Sequence, residues 1–183
     1  EDGVIKPAYQ FKVDDAIAFA KAEDFSSASF KTKDTASIQH RALLLLQDLI
    51  KFHLADANPD ALIDADLIRL NFVNSNAVME GKEKLYEEAL LAIEQKYPNN
   101  QAIAQAMFLR GTIYLQRGQQ YEALTKTENQ YEIKRARELF ETVYARFPKS
   151  EGGINAKNAV GQLSQPSLNI ETEKVNVALQ PFR

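Results

Sequence analysis

The chain has 183 residues, 45% of them hydrophobic and 26% charged, with 22 basic against 25 acidic side chains and no cysteine. That is the composition of a folded chain with one real core rather than of a disordered segment. A net charge of -3 is too small to hold nucleic acid or anionic lipid, and the missing thiols exclude disulfides, thiolate metal sites and cysteine nucleophiles while leaving the redox compartment open.

Residues 1–34 read as an irregular arm: Tyr9, Phe11 and Val13 alternate after Pro7, and Phe19, Phe25 and Phe30 are too widely spaced for one helical face. Five aromatics in so polar a segment are costly to leave in water, so the arm is expected to pack across the helices behind it. A short helix around Ala16 to Ala22, opened by Asp14 or Asp15, is expected within it.

The first long helix follows Asp34-Thr35, either able to cap it, and runs to about Leu54. Ala42, Leu46, Leu49, Ile50 and His53 form a broad apolar stripe widened by Leu43, Leu44 and Leu45, which predicts a helix surrounded on nearly all sides. Asn58-Pro59-Asp60 breaks the chain and starts a second helix to about residue 73, with Ala61, Ala65, Ile68 and Phe72 on one face.

Gly81 opens a third helix, about 82–97, and a fourth follows over about 101–117 with Gly118 as its stop. GQQYEALTKTENQ then has no sustained period and reads as a projecting insertion. A fifth helix spans about 131–147, and Ser150-Glu151 caps a sixth that stops before Pro166.

One pattern recurs fifty residues apart: Leu90 against Phe140, Ile93 against Val143, Pro98 against Pro148, Ala106 against Ala156 and Gly111 against Gly161. A worn third copy lies 41 residues upstream of the first of these, with Leu49 beside Leu90, Phe52 beside Ile93, Ala65 beside Ala106 and Arg69 beside Arg110. Periods of this size belong to stacked helical hairpins, whose terminal units are expected to degenerate. These positions are therefore the expected repeat-packing contacts.

After Pro166 the period becomes alternating, with Leu168 and Ile170, then Val175, Val177 and Leu179. An isolated strand of this kind leaves an exposed edge, so residues 166–183 are expected to be an extended linker or the first strand of a β-domain outside this sequence. No apolar run reaches membrane-spanning length, and EDGVIKPAYQ is not a signal peptide.

AMFLRGTIYLQRG followed after the insertion by ARELFETVYARFP resembles a tetratricopeptide repeat. Gly111 and Tyr114 match the markers of that family's first helix, and Ala136, Phe140, Val143 and Pro148 those of its second. Arg110 stands where the family usually has leucine, and the insertion lengthens the turn between the helices. The expected fold is all-α: a right-handed array of about three such hairpins over residues 35–165, with the arm before it and the tail after it.

A second resemblance covers more of the chain. KPAYQFKVDD, ADLIRLNFV, the KYPNN turn and LNIETEKVNVALQPFR together are similar to the helical region near the N-terminus of large alpha-2-macroglobulin-like proteins of Bacteroidetes-type bacteria. That resemblance implies a secreted or cell-envelope location, compatible with a lipid anchor carried by sequence absent here, and partners in the macroglobulin β-domains of the same polypeptide or in another envelope protein. It makes Leu168, Ile170, Val175 and Val177 the expected interdomain contacts. The family traps proteases, often with a cysteine-containing thioester; with no cysteine here, inhibitory chemistry is expected elsewhere. A free-standing tetratricopeptide adaptor or an envelope lipoprotein is the alternative.

No catalytic constellation is legible, and neither an enzyme nor a cofactor is expected. His40 and His53 lie thirteen residues apart on one helix, too far to share a metal. Asp14-Asp15 and Glu87-Glu88 are neighbours whose side chains point apart, and the basic residues of the fifth helix alternate with Glu132, Glu138 and Glu141. Gly152-Gly153 lacks the strand and the lysine of a phosphate loop. Tyr86, Tyr97, Tyr114, Tyr131 and Tyr144 are expected at helix-packing positions.

Overall fold

The computed structural model describes residues 9–122 and 127–165. Among them the regular structure is helical: a 3-10 turn, Ala16–Phe19, then α1 (Ala22–Ser27), α2 (Ile38–His53), α3 (Asp60–Asn76), α4 (Lys82–Lys96), α5 (Ile103–Gly118), α6 (Glu132–Arg146) and α7 (Glu151–Leu163). From α2 to α7 each helix packs on the next and α7 returns onto α5, so the chain is an all-α array of helical hairpins.

Local chemistry sets the helix boundaries. The Asp15 carboxylate accepts from the Ile17 N–H at 2.9 Å and opens the 3-10 turn. Ser150 accepts from the Gly153 N–H at 3.0 Å and caps α7. The cap of α2 is Ser37, which accepts from the His40 N–H at 3.2 Å, rather than Asp34 or Thr35. Asp34 is committed elsewhere, accepting from the Phe11 N–H at 3.1 Å and so tying the arm down. Gly81, with φ of 69°, makes the left-handed turn into α4 that a side chain would disfavour.

The arm folds into the same core as the helices. Val13, Ala18, Phe19 and Phe25 are buried among side chains of α2, α3 and α4. Val13 forms a single parallel bridge with Ala77, the Val78 N–H donating to its carbonyl at 3.0 Å. Gln47 of α2 is buried and donates through Nε2 to the carbonyls of Phe25 at 2.7 Å and Ala28 at 2.8 Å, the first of which also accepts from the Ala28 N–H at 3.1 Å.

The surrounded helix is α3, not α2. Leu62, Ile63, Ala65, Asp66, Leu67, Arg69, Leu70 and Val73 of α3 are buried, because the arm, α2 and α4 cover it from different sides. On α3 it is Ala61 and Ile68 that face out. On α2 only Leu43, Leu46, Gln47 and Ile50 are buried, while Phe52 is 75% and Leu49 37% exposed.

Leu49 and Phe52 are therefore not repeat-packing residues, and the register of the first copy changes. Leu43, Gln47 and Ile50 carry the same spacing as Tyr86, Leu90 and Ile93 of α4 and Ala136, Phe140 and Val143 of α6, all buried. The first helix is thus displaced by 43 residues from its counterpart, whereas α3 keeps 41, with Ala65, Leu70 and Val73 matching Ala106, Gly111 and Tyr114. The difference is taken up between Ile50 and Leu62, which are two residues further apart than Ile93 and Ile103. Alignment by large apolar residues misleads here because α2 is apolar on two faces.

Three other expected contacts differ. Pro98 and Pro148 are exposed, acting as helix-ending turn residues outside the interior. Gly161 faces open space, whereas its counterpart Gly111 is pressed against Phe140. Leu168, Ile170, Val175 and Val177 lie outside the described residues, as does part of the segment after Gly118.

Candidate interaction groove

A groove of about 800 Å³ runs between the arm and α4, with α3 as its floor. Leu62, Ile63, Asp66 and Arg69 form the floor. Alanines recur on both walls, Ala16, Ala20 and Ala22 on the arm against Ala89 and Ala92 on α4, alongside Phe19 and Leu85. The Glu23 carboxylate and the Lys96 ammonium form an ion pair across the mouth. That bond holds the Glu23 carboxyl below its ordinary range; for Lys96, burial pulls the ammonium down but the hydrogen bond to Glu23 leaves it net raised.

The floor carries a charge pair fixed within the fold. Arg69 is fully buried, donates to the Asp66 carboxylate through Nε at 3.0 Å and through Nη2, and donates through Nη1 to the Ala18 carbonyl at 2.6 Å. Its guanidinium also lies 4.8 Å from the centre of the Phe25 ring. Burial pushes the Asp66 carboxyl up, opposed by the Arg69 charge, and pulls Arg69 down from a value so high that it stays charged. Arg69 thus joins α3 to the arm.

At the equivalent position one repeat later, Arg110 makes a two-pronged pair with Glu94, Nε to Oε1 at 2.8 Å and Nη2 to Oε2 at 2.6 Å, and Nη1 donates to the Tyr114 hydroxyl at 2.9 Å. The Tyr114 ring is also covered by Arg135, 4.1 Å from its centre. Arg117 closes the α4–α5 seam by pairing with Glu83 and Glu87. This seam explains the arginine where a tetratricopeptide repeat has leucine: it bridges two helices instead of filling an apolar hole.

No family model, curated protein or solved structure matches the chain. What the groove offers is therefore judged from its own chemistry: a floor whose one charge pair is already internally satisfied, alanines on both walls and a rim of mixed charge at Lys21, Glu23, Asp24, Glu88 and Lys96 suit an extended polypeptide better than a compact ionic ligand.

The predicted repeat-packing residues divide cleanly. Ala65, Leu90, Ile93, Ala106, Gly111, Tyr114, Ala136, Phe140, Val143 and Ala156 lie in the shared interior, while Leu49, Phe52, Pro98, Pro148 and Gly161 lie at its surface. Tyr86 is buried with its hydroxyl bonded to Asn71, and burial pushes that hydroxyl up to about 12. Tyr131 and Tyr144 are exposed rather than packed, Tyr144 beneath the Lys157 ammonium. His40 donates to the Phe30 carbonyl at 2.6 Å, tying α2 to the arm, and His53 pairs with Asp56 at 2.7 Å, closing a local turn. Among the described residues no group of three His, Cys, Asp or Glu side chains could hold a metal ion, and no helix is long and apolar enough to cross a membrane.

Sequence reasoning missed Asp66 and the groove. The signal for the first was an acid and a base three apart inside the mostly apolar run ALIDADLIRLNF, a spacing that brings them together on one helix face. The groove had no local signal, since its alanines come from two segments far apart in the chain.

Proposed function

We propose that this chain is a non-catalytic scaffold and protein-interaction module of a secreted, alpha-2-macroglobulin-like protein, positioning the β-domains that follow it. One observation carries the structural role: among the described residues, the polar side chains of the four buried polar residues are all tied into the fold. Ser26 donates to the Glu23 carbonyl, Gln47 holds two carbonyls of the arm, and Asp66 and Arg69 hold each other. Groups bound this way rigidify a support and leave none of the four free for chemistry. The macroglobulin assignment rests on KPAYQFKVDD, ADLIRLNFV and LNIETEKVNVALQPFR.

The test is hydrogen exchange over residues 168–179 in the isolated chain and in the longer protein. Protection that arises only in the longer protein supports the reading. Equal protection in both, or protease inhibition by the isolated chain, removes it.

The groove favours a second reading, an adaptor for an extended peptide. A displayed random-peptide library should then enrich on the wild-type chain and not on Ala92→Arg, which places a long side chain between the walls. Equal enrichment on both would exclude the groove as the binding site.

A further inference from the structure

The two ends of the array are chemically unlike. On α7 the outward positions are Glu151, Lys157, Asn158, Gly161 and Gln162, a polar face suited to water, with Ile154 its apolar exception. On α2 the outward positions are Ile38, Leu45, Leu49 and Phe52, exposed by 78%, 70%, 37% and 75%. Ile38, Leu45 and Phe52 are seven residues apart, two helical turns each, and so form one straight seam along the helix on the side opposite Leu43, Gln47 and Ile50. A contiguous apolar seam on the outer face of a packed helix marks an interaction surface.

The geometry points to a second copy of this chain as the occupant, with the two α2 helices antiparallel about a two-fold axis beside Leu45. The charges that flank the seam are complementary in that arrangement alone. Ile38 of one copy falls opposite Phe52 of the other, and Leu45 meets Leu45. Arg41 and Asp48, both exposed and seven apart, lie along the same flank of the seam on either side of Leu45. Antiparallel pairing places Arg41 of each copy beside Asp48 of the other, giving two reciprocal ion pairs, whereas parallel pairing sets Arg41 against Arg41. Arg41 bonds only carbonyls at the start of its own helix, Ala36 at 3.0 Å and Ser37 at 3.5 Å, and among the described residues Asp48 makes no ion pair. Asp48 is therefore available to a partner.

A seam along one helix of 16 residues is about 24 Å long, which places the interface at the small end of specific contacts and the dissociation constant on the order of 10 μM. Sedimentation equilibrium of the full chain should show its 20.6 kDa mass doubling with concentration across that range. Leu45→Glu and Phe52→Glu, at positions outside the core, should keep the wild-type melting temperature and weaken association at least tenfold. Arg41→Asp and Asp48→Arg should each weaken it, and the double exchange should restore it, because each reversed charge again meets its opposite.

Because the chain has no cysteine, Leu45→Cys gives a single thiol on the two-fold axis, which should oxidise to a crosslinked dimer much faster than Glu138→Cys on α6. A monomer up to about 1 mM overturns the proposal, that being the weak limit of specific binding. So does a dimer indifferent to Leu45→Glu, a double exchange that fails to recover, or Leu45→Cys crosslinking no faster than the control.

Discussion

Phe140 occupies the space where a side chain on Gly111 would begin: a Cβ there would lie 2.4 Å from Cε1 of the Phe140 ring. The two residues come from α5 and α6, 29 positions apart, and the absence of a side chain on one lets the ring of the other lie flat against the helix backbone. Phe108 supports the same ring at 5.5 Å between centroids. Gly111→Ala should cost about 1–3 kcal/mol, the range for forcing extra volume into a packed core. Phe140→Ala should cost about 3–5 kcal/mol, and Gly111→Ala made in that background should cost little, since the clashing ring is gone. Urea unfolding of the four chains measures the coupling directly.

Arg69 is the single point at which α3, the arm and Asp66 meet. Removing the guanidinium leaves a buried carboxylate without its counter-charge and orphans the Ala18 carbonyl, so Arg69→Met should cost about 3–5 kcal/mol. Asp66→Leu combined with Arg69→Met should regain a large part of that loss, because two apolar side chains of similar volume need no pairing. Denaturant midpoints distinguish the outcomes; a double variant as unstable as Arg69→Met alone would mean that the Ala18 bond, not the charge pair, carries the effect.

Gln47 controls whether the arm is docked. Gln47→Leu keeps volume but removes the side-chain donor from the Phe25 and Ala28 carbonyls, of which the first keeps the Ala28 N–H, at about 1–3 kcal/mol. The loss should be local. Amides of Phe25 and Ala28, which donate to Lys21 and Phe25, should exchange faster, while those of α5 to α7 should exchange at the wild-type rate.

Acid sensitivity should trace to Glu87. Burial pushes its carboxyl up, but hydrogen bonds from Arg117 and Tyr114 outweigh that and hold it below its ordinary 4.5. A lowered folded value means stability that is present above the unfolded value and is lost as pH falls through the folded one. Asp66 has the opposite sign: raised by burial, its ionisation costs stability above its folded value, and that cost is relieved as pH falls towards 3.8. Melting temperatures of Glu87→Gln should lie below wild type at pH 7 and converge with it below about pH 4.

Much of the architecture was legible in the residues. The helices α4 to α7 lie within two positions of their sequence boundaries, because their apolar spacing, the Ser150 cap and the proline turns are local signals that tertiary contacts reinforce. The repeat fifty residues apart held its register for Leu90 and Phe140, Ile93 and Val143, Ala106 and Ala156, each pair buried. At α2 the same reasoning failed. Leu49 and Phe52 have the size of core residues, and nothing local distinguishes an apolar face that meets α3 from one that meets solvent.

The amino-acid sequence by itself determined that this chain is helical and that its hairpins repeat, since helical periodicity and capping are encoded within a few residues of one another. The tertiary structure alone decided which side of α2 faces in, that Gln47 and Arg69 anchor the arm, and that alanines from the arm and α4 leave a groove over α3. Those outcomes depend on which distant segments meet, and burial is a property of the assembled neighbours rather than of the residue.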